Sequence, residues 1–197
     1  MKLLLTTIYS LFTLIAFSQT KTYTDSLKEY QTNYVKTHEV VKGNDKSFIS
    51  FFQVNKELCV NAAFTKVDNG TWFTMQASGK IKDIYRVYGT IQFKVHDTAI
   101  KLNLYQSQSL MNSPMYKNYL FLPFTDKTSG EESYGGGRYI DIESTDIKDN
   151  HVIIDFNKCY NPYCSYTAGY SCPIPPKEND MSIAVKAGEK NYGKKTH

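Results

Sequence analysis

The segment IQFKVHDTAIKLNL, residues 91–104, reads as two strands around a turn. Ile91, Phe93 and Val95 alternate with other residues, and Ile100, Leu102 and Leu104 do the same on the far side of His96-Asp97-Thr98. Side chains two apart share one face of a strand. Pairing the two series therefore buries one sheet face and leaves Lys94, Lys101 and Asn103 on the other. A period of two sets the fold class as β, and His96 is then a polar turn residue. Upstream, residues 85–88 read as an adjoining strand, with Gly89 placed to bend it or to hold a bulge.

Working outward, residues 58–66 alternate through Val60, Ala62 and Phe64, and residues 48–54 are aromatic and β-branched. Asp68-Asn69-Gly70 supplies a second hairpin signal, leading into a strand over 71–76, because Asn and Gly accept positive φ. Asn69-Gly70-Thr71 also spells a glycosylation acceptor, but the turn is the stronger reading. Further strands are expected at 119–124, 151–156 and 182–186, with 107–118 as a connection. Before the strands, Tyr23, Leu27, Tyr30 and Tyr34 recur at helical spacing. Thr22 or Asp25 can cap this start, so a helix is expected over 24–37, its aromatic stripe packed on the sheet. His38 is expected at the surface. No repeat or long linker divides the chain. The expected architecture is mainly β: a curved antiparallel sheet, partly open barrel or sandwich with an N-terminal helix. Residues 19–47 form the helical extension, 48–189 one domain and 190–197 a flexible basic tail.

Aromatic residues make up 14% of the 197-residue chain, with 16 tyrosines, and charged residues 21%, which excludes collagen-like and disordered classes. Lys2 followed by the apolar run 3–17 and the small residues Ala16 and Ser18 forms a secretory signal pattern, with cleavage expected after Ser18. Removing Lys2 takes the formal charge from +4 to +3. No later segment is long or apolar enough to span a bilayer. Periplasmic or secreted localisation follows, and dispersed lysines give no nucleic-acid footprint. Export permits disulfides. Of Cys59, Cys159, Cys164 and Cys172, the pair Cys164–Cys172 closes a short loop and is favoured, with Cys59–Cys159 a weaker alternative. Neither CxxC pairs nor nearby histidines support zinc.

The polar half of the chain carries the candidate chemistry. PFTDKTSGEESYGGGRY, residues 123–139, sets Asp126, Glu132, Tyr134 and Arg138 around Gly135-Gly136-Gly137. The glycines allow a close backbone turn. Arg138 can take a carboxylate or phosphate bidentately, or can hold the turn by pairing with an Asp or Glu. The run lacks nucleotide-binding spacing, and Ser129 lacks the setting of a hydrolase nucleophile. DFNKCYNPYCSYTAGYSCPIPPKEN, residues 155–179, adds Asp155, Asn157, Asn161 and Glu178, with Tyr160 and Tyr170 as aromatic hydroxyls and Pro162 constraining the path. No metal and no cofactor is implied.

FLPFTDKTSGEESYGGGRYIDI, followed by DFNKCYNPYCSY and CPIPPKEN, resembles the bacterial family catalogued as domain of unknown function 1684, over about residues 48–189. The resemblance implies a shared family role and no specific activity. Cys159 departs from the small residue of that family position, and Ser133 stands where threonine is common. The functional expectation is an exported protein that binds a small anionic molecule. Arg138 would hold the anion, with Asp126, Glu132, Tyr134, Asp155, Asn157, Asn161 and Glu178 shaping the site. Gly135, Gly136, Gly137, Pro162, Cys164 and Cys172 would be structural. The alternatives are a hydrolase, with Asp155 or Glu178 as base and Tyr134 or Arg138 stabilising charge, and a non-catalytic envelope-associated protein.

Overall fold

The computed structural model describes residues 21–194; the leader expected at 1–18 lies outside them. Helix α1 (Tyr23–Thr37) starts at Thr22, whose hydroxyl accepts the Asp25 N–H. That capping contact satisfies a donor the first turn would otherwise leave free. Seven strands follow: β1 (Cys59–Lys66), β2 (Phe73–Thr74), β3 (Ile84–Val95), β4 (Thr98–Ser107), β5 (Tyr119–Phe124), β6 (Arg138–Glu143) and β7 (His151–Asp155). A one-turn helix, α2 (Gln108–Met111), joins β4 to β5.

The sheet runs β6-β5-β4-β3-β1-β7, all antiparallel, with β2 paired on β3. It curls into a half-barrel. The 91–104 hairpin holds the expected register, Ile91 opposite Leu102 and Phe93 opposite Ile100, with His96 at φ 50° in the turn. The bulge falls between Val87 and Gly89. A Cβ on Gly89 would collide with the Phe64 ring on β1, which requires glycine here.

Alternation divides the side chains between two faces. Val60, Ala62, Ile91, Leu102, Leu104, Leu120, Leu122, Ile140, Ile142, Val152 and Ile154 converge in the main core inside the curl. Each of these side chains apart from the smaller Ala62 stabilises the fold by roughly 1.5–3 kcal/mol on burial. The opposite face carries a smaller cluster of Met75, Tyr85, Tyr105, Phe121 and Tyr139. Among the described residues no helix is long and apolar enough to cross a membrane.

Several local expectations are corrected. Residues 48–54 form no strand: Gly43–Phe48 is a 3-10 helix, and Phe51 makes only an isolated bridge to Glu189. The turn at Asn69 forms, with φ 56°, but β2 pairs with β3 and not with β1, because β1 already has β3 and β7 on its two sides. Residues 182–186 are irregular, and the Val185 carbonyl is taken by Arg138. Strand β6 was not expected. Residues 190–194 are docked rather than loose: the Lys190 N–H donates to Ser50 O, Asn191 N–H to Glu132 O and Gly193 N–H to Phe48 O. His38 is buried, not superficial, because its Nδ1 accepts the Val41 N–H and its ring stands edge-on to Tyr166 at 4.6 Å.

Candidate functional site

Helix α1 is seated by three tyrosine hydroxyls spaced along one face. Tyr23 donates to Asp155 Oδ1 at 2.9 Å, Tyr30 to Lys158 O at 3.3 Å and Tyr34 to Glu189 Oε2 at 3.1 Å. The helix is thus tied to the end of β7, the segment after it and Glu189, and Tyr30, Tyr34 and Thr37 of its C-terminal half share a space with Tyr119 and Phe121 of β5 and Tyr139 and Asp141 of β6.

That space is a cavity of about 650 Å³. Eight tyrosines line it, at positions 30, 34, 85, 119, 139, 160, 163 and 170, together with His38, Glu39, Asp141 and Asn161. Tyr160 reaches the wall because residues 139 and 160 form an antiparallel bridge, each N–H donating to the other's carbonyl at 2.9 and 3.0 Å. Their rings stand perpendicular with centroids 5.9 Å apart.

Asp141 follows Tyr139 by two on the same face of β6. Its Oδ1 accepts Tyr160 OH at 2.6 Å and Tyr119 OH at 2.8 Å. The Tyr119 contact is diagonal across β5 and β6, since Phe121 lies directly opposite Asp141. Asp141 is an exposed residue, open to both cavities it lines, although the tyrosines pack beside its carboxylate. Desolvation raises its pKa, and the two tyrosine hydroxyls oppose that rise by favouring the charged form. Both phenols are held well above their ordinary value, first by burial; the Asp141 charge comes next at Tyr119, and at Tyr160 it follows the Tyr119 charge.

Behind the wall, Glu189 is wholly buried. It accepts Tyr166 OH at 2.6 Å, Tyr34 OH at 3.1 Å and the Asn161 N–H at 2.9 Å. Burial pushes its carboxyl up to about 7 against these hydrogen bonds. Two buried polar atoms of cavity-lining residues, His38 Nε2 and Asn161 Oδ1, have no hydrogen-bond partner among the described residues.

A second cavity of about 760 Å³ shares Tyr30, Asp141 and Tyr160 with the first. It lies between β6 and β7, the two ends of the sheet, and is lined also by Cys59, Asp155, Lys148 and Lys158. Asp141 therefore stands where the two cavities meet.

The residues expected to form an anion site are distributed differently. Arg138 is fully buried on the core face of β6. Its guanidinium donates to Asp126 Oδ2 at 2.8 Å, Val185 O at 2.8 Å, Ala187 O at 2.5 Å and Glu189 O at 3.1 Å. Its two terminal nitrogens are spent on the protein, so the anion-holding role is withdrawn. Asp126 also accepts the Thr128 and Val185 N–H groups. Glu132 pairs at the surface with Lys186 at 2.9 Å, and Glu178 is exposed. The Tyr134 ring covers Gly136, where a Cβ would strike it; Gly135 approaches Gly130, and Gly137 takes φ +87°. Asp155 accepts Tyr23 OH and both Asn157 nitrogens, while Asn157 Nδ2 ties Asn55 O at 2.8 Å. Asp155 and Glu178 thus share no catalytic setting with Arg138 or Tyr134. Only Asn161 of the expected set lines the tyrosine cleft, beside Pro162, and only Asp155 lines the second cavity. Cys164 and Cys172 form the favoured disulfide, with Cα atoms 6.3 Å apart, whereas Cys59 and Cys159 are free. Among the described residues no group of three His, Cys, Asp or Glu is arranged to hold a metal.

Sequence reasoning missed Asp141, Tyr119, His38 and Glu189 as site residues. Aromatic content and the α1 tyrosine stripe were the available signals; neither locates a cleft built from five separate segments.

The family model described as "Protein of unknown function (DUF1684)" matches residues 46–190. No curated protein matches the sequence. Among solved structures, the chain is similar to the solution NMR structure of an uncharacterized protein of Haloarcula marismortui. The two share 27% identity with a TM-score of 0.64, covering 84% of this chain and 94% of the other.

Proposed function

Since the chain belongs to the DUF1684 family, described as proteins of unknown function, we propose from its geometry that it binds a small organic molecule in the tyrosine-walled cleft. The observation that carries this reading is the cavity of about 650 Å³ itself, walled by eight tyrosines with the Asp141 carboxylate among them. Ligand pockets combine apolar walls of this size with a few placed polar groups. Tyrosine supplies both wall and hydroxyl, at low cost in side-chain ordering.

The protein acts outside the cytoplasm in this reading. The N-terminal signal pattern supports export, and the Cys164–Cys172 bridge suits an oxidising compartment.

Native mass spectrometry of the chain from residue 19 onward, exposed to a chemically broad metabolite mixture, tests the binding. Retention of one class of small molecule is expected, with loss in Thr37→Trp, which fills the cleft from the end of α1, at unchanged circular dichroism. A screen in which nothing is retained, or in which Thr37→Trp retains everything, overturns the reading.

A further inference from the structure

Asp141 is an exposed carboxylate in an aromatic setting, with one oxygen uncommitted. Oδ1 takes both tyrosine hydroxyls, Oδ2 accepts no hydrogen bond among the described residues, and none of their ion pairs includes it. Among the described residues no lysine or arginine lines the cleft, which holds a second carboxylate in Glu39. A carboxylate with no paired counter-charge, flanked by rings that thin its hydration, favours a bound cation.

The walls suit an organic cation. The Tyr139 and Tyr160 rings meet at 89°, and the Tyr34 ring lies 6.4 Å from that of Tyr160, so aromatic surface turns a corner beside Asp141. Ring faces attract cations within about 6 Å of their centroids, and recognition of quaternary ammonium groups uses such aromatic corners. A hard metal ion needs about six oxygen ligands, which this site does not assemble. The adjoining cavity brings Lys148 and Lys158 to the far side of Asp141, with Lys158 Nζ 5.7 Å from the centroid of the Tyr30 ring. Those charges disfavour a long polycation reaching through.

We propose that the cleft binds a compact, singly charged organic ammonium, paired with Asp141 Oδ2 and faced by Tyr34, Tyr119, Tyr139 and Tyr160. This rests on the cleft being the ligand site and names the class of ligand it takes.

The probes are choline and n-butylammonium, each against its uncharged carbon isostere, titrated into isotopically labelled protein by NMR. Both ammonium ions are expected to move Tyr119 and Tyr160 resonances, and to bind about tenfold more tightly than the isosteres. In Asp141→Asn, which keeps an acceptor for the two tyrosines, that preference should vanish while isostere binding persists. The wild-type comparison stands alone if the variant does not fold. Equal binding of isostere and cation, preference retained in Asp141→Asn, or no response to either ammonium overturns the proposal. A neutral saccharide retained in the cleft in place of the ammonium probes overturns the ligand class and leaves the cleft as a binding site; an empty metabolite screen overturns both.

Discussion

Arg138 and Asp141 stand three residues apart on β6 and belong to opposite faces of the sheet. The guanidinium enters the core to meet Asp126 at 2.8 Å, and the carboxylate leaves it to meet Tyr119 and Tyr160. An odd spacing on a strand requires this separation. One edge strand therefore carries both the ion pair that fastens the C-terminal segment and the charge that marks the cleft.

Removing the core member should be costly. Arg138→Ala leaves Asp126 buried without its partner and frees the carbonyls of Val185, Ala187 and Glu189. Loss of one partner of a buried pair costs about 3–5 kcal/mol, whereas an exposed pair contributes about 0–1 kcal/mol. Urea denaturation should show Arg138→Ala falling in that higher range and Glu132→Ala, which breaks the surface pair with Lys186, staying near wild type. Similar losses for the two variants would contradict the keystone role.

The cleft member should respond to its tyrosines. Each hydroxyl favours ionised Asp141, so Tyr160→Phe and Tyr119→Phe should each raise the Asp141 pKa further, and the double variant should raise it most. Carboxyl carbon NMR titration reads this directly. A fall in either single variant would mean that water replaces the lost hydroxyl and outweighs it.

The difference between the two ends of β6 also explains what the sequence disclosed. The 91–104 hairpin was legible because both strands keep an apolar period of two, and β4 sits between neighbours that reward it. In RYIDIE the same period is present, but its first core position is Arg138, and a charge in a core position disguises a strand. Missing β6 hid Asp141. Residues 48–54 failed in the opposite sense: their apolar composition serves packing against Glu189 and the chain around it, through isolated backbone bonds and not a ladder. Of the α1 stripe, expected to pack on the sheet, Leu27 is buried while Tyr30 and Tyr34 line the cleft. That the stripe's hydroxyl ends meet Asp155, Lys158 and Glu189, more than a hundred residues away, is a tertiary fact with no local signature.

The triple glycine separates into unequal parts. Gly137 sits at φ +87°, with an added Cβ 2.6 Å from the Phe124 carbonyl oxygen, while a Cβ at Gly135 would meet only Gly130 Cα at 3.4 Å and Gly130 N at 3.7 Å. Gly137→Ala should cost roughly 1–3 kcal/mol or fail to fold, and Gly135→Ala should lie within about 0.5 kcal/mol of wild type. Thermal denaturation of the two variants gives the comparison; equal midpoints would remove the backbone argument.

The disulfide should act on the cleft more than on the sheet. Cys172 lines the cavity, and Tyr163 and Tyr170, whose rings pack at 5.1 Å, flank the bridge on its two sides. Closing a loop this short stabilises by roughly 2–3 kcal/mol in the chain-entropy picture. Reduction should speed amide exchange over residues 160–176 and weaken ligand retention, with β1, β3 and β4 still protected. Unchanged exchange in that loop would show that its prolines and hydrogen bonds suffice.

Glu189 gives the stability a pH dependence whose sign can be worked out. Its folded carboxyl is pushed up to about 7 from an ordinary 4.5, first by burial, with Tyr166, Asn161 and Tyr34 opposing. Between those values the folded protein binds more protons than the unfolded chain, so this group's contribution is full below the lower value and is lost as pH rises through the upper one. The span corresponds to a change on the order of 3 kcal/mol at most. Glu189→Gln cannot titrate, and its amide would oppose either the Asn161 N–H or a tyrosine hydroxyl, so it starts less stable at low pH. Urea melts from pH 4 to 8 should therefore show the gap between wild type and Glu189→Gln narrowing as pH rises. Parallel curves would mean that Glu189 is already ionised throughout, with its three donors outweighing burial.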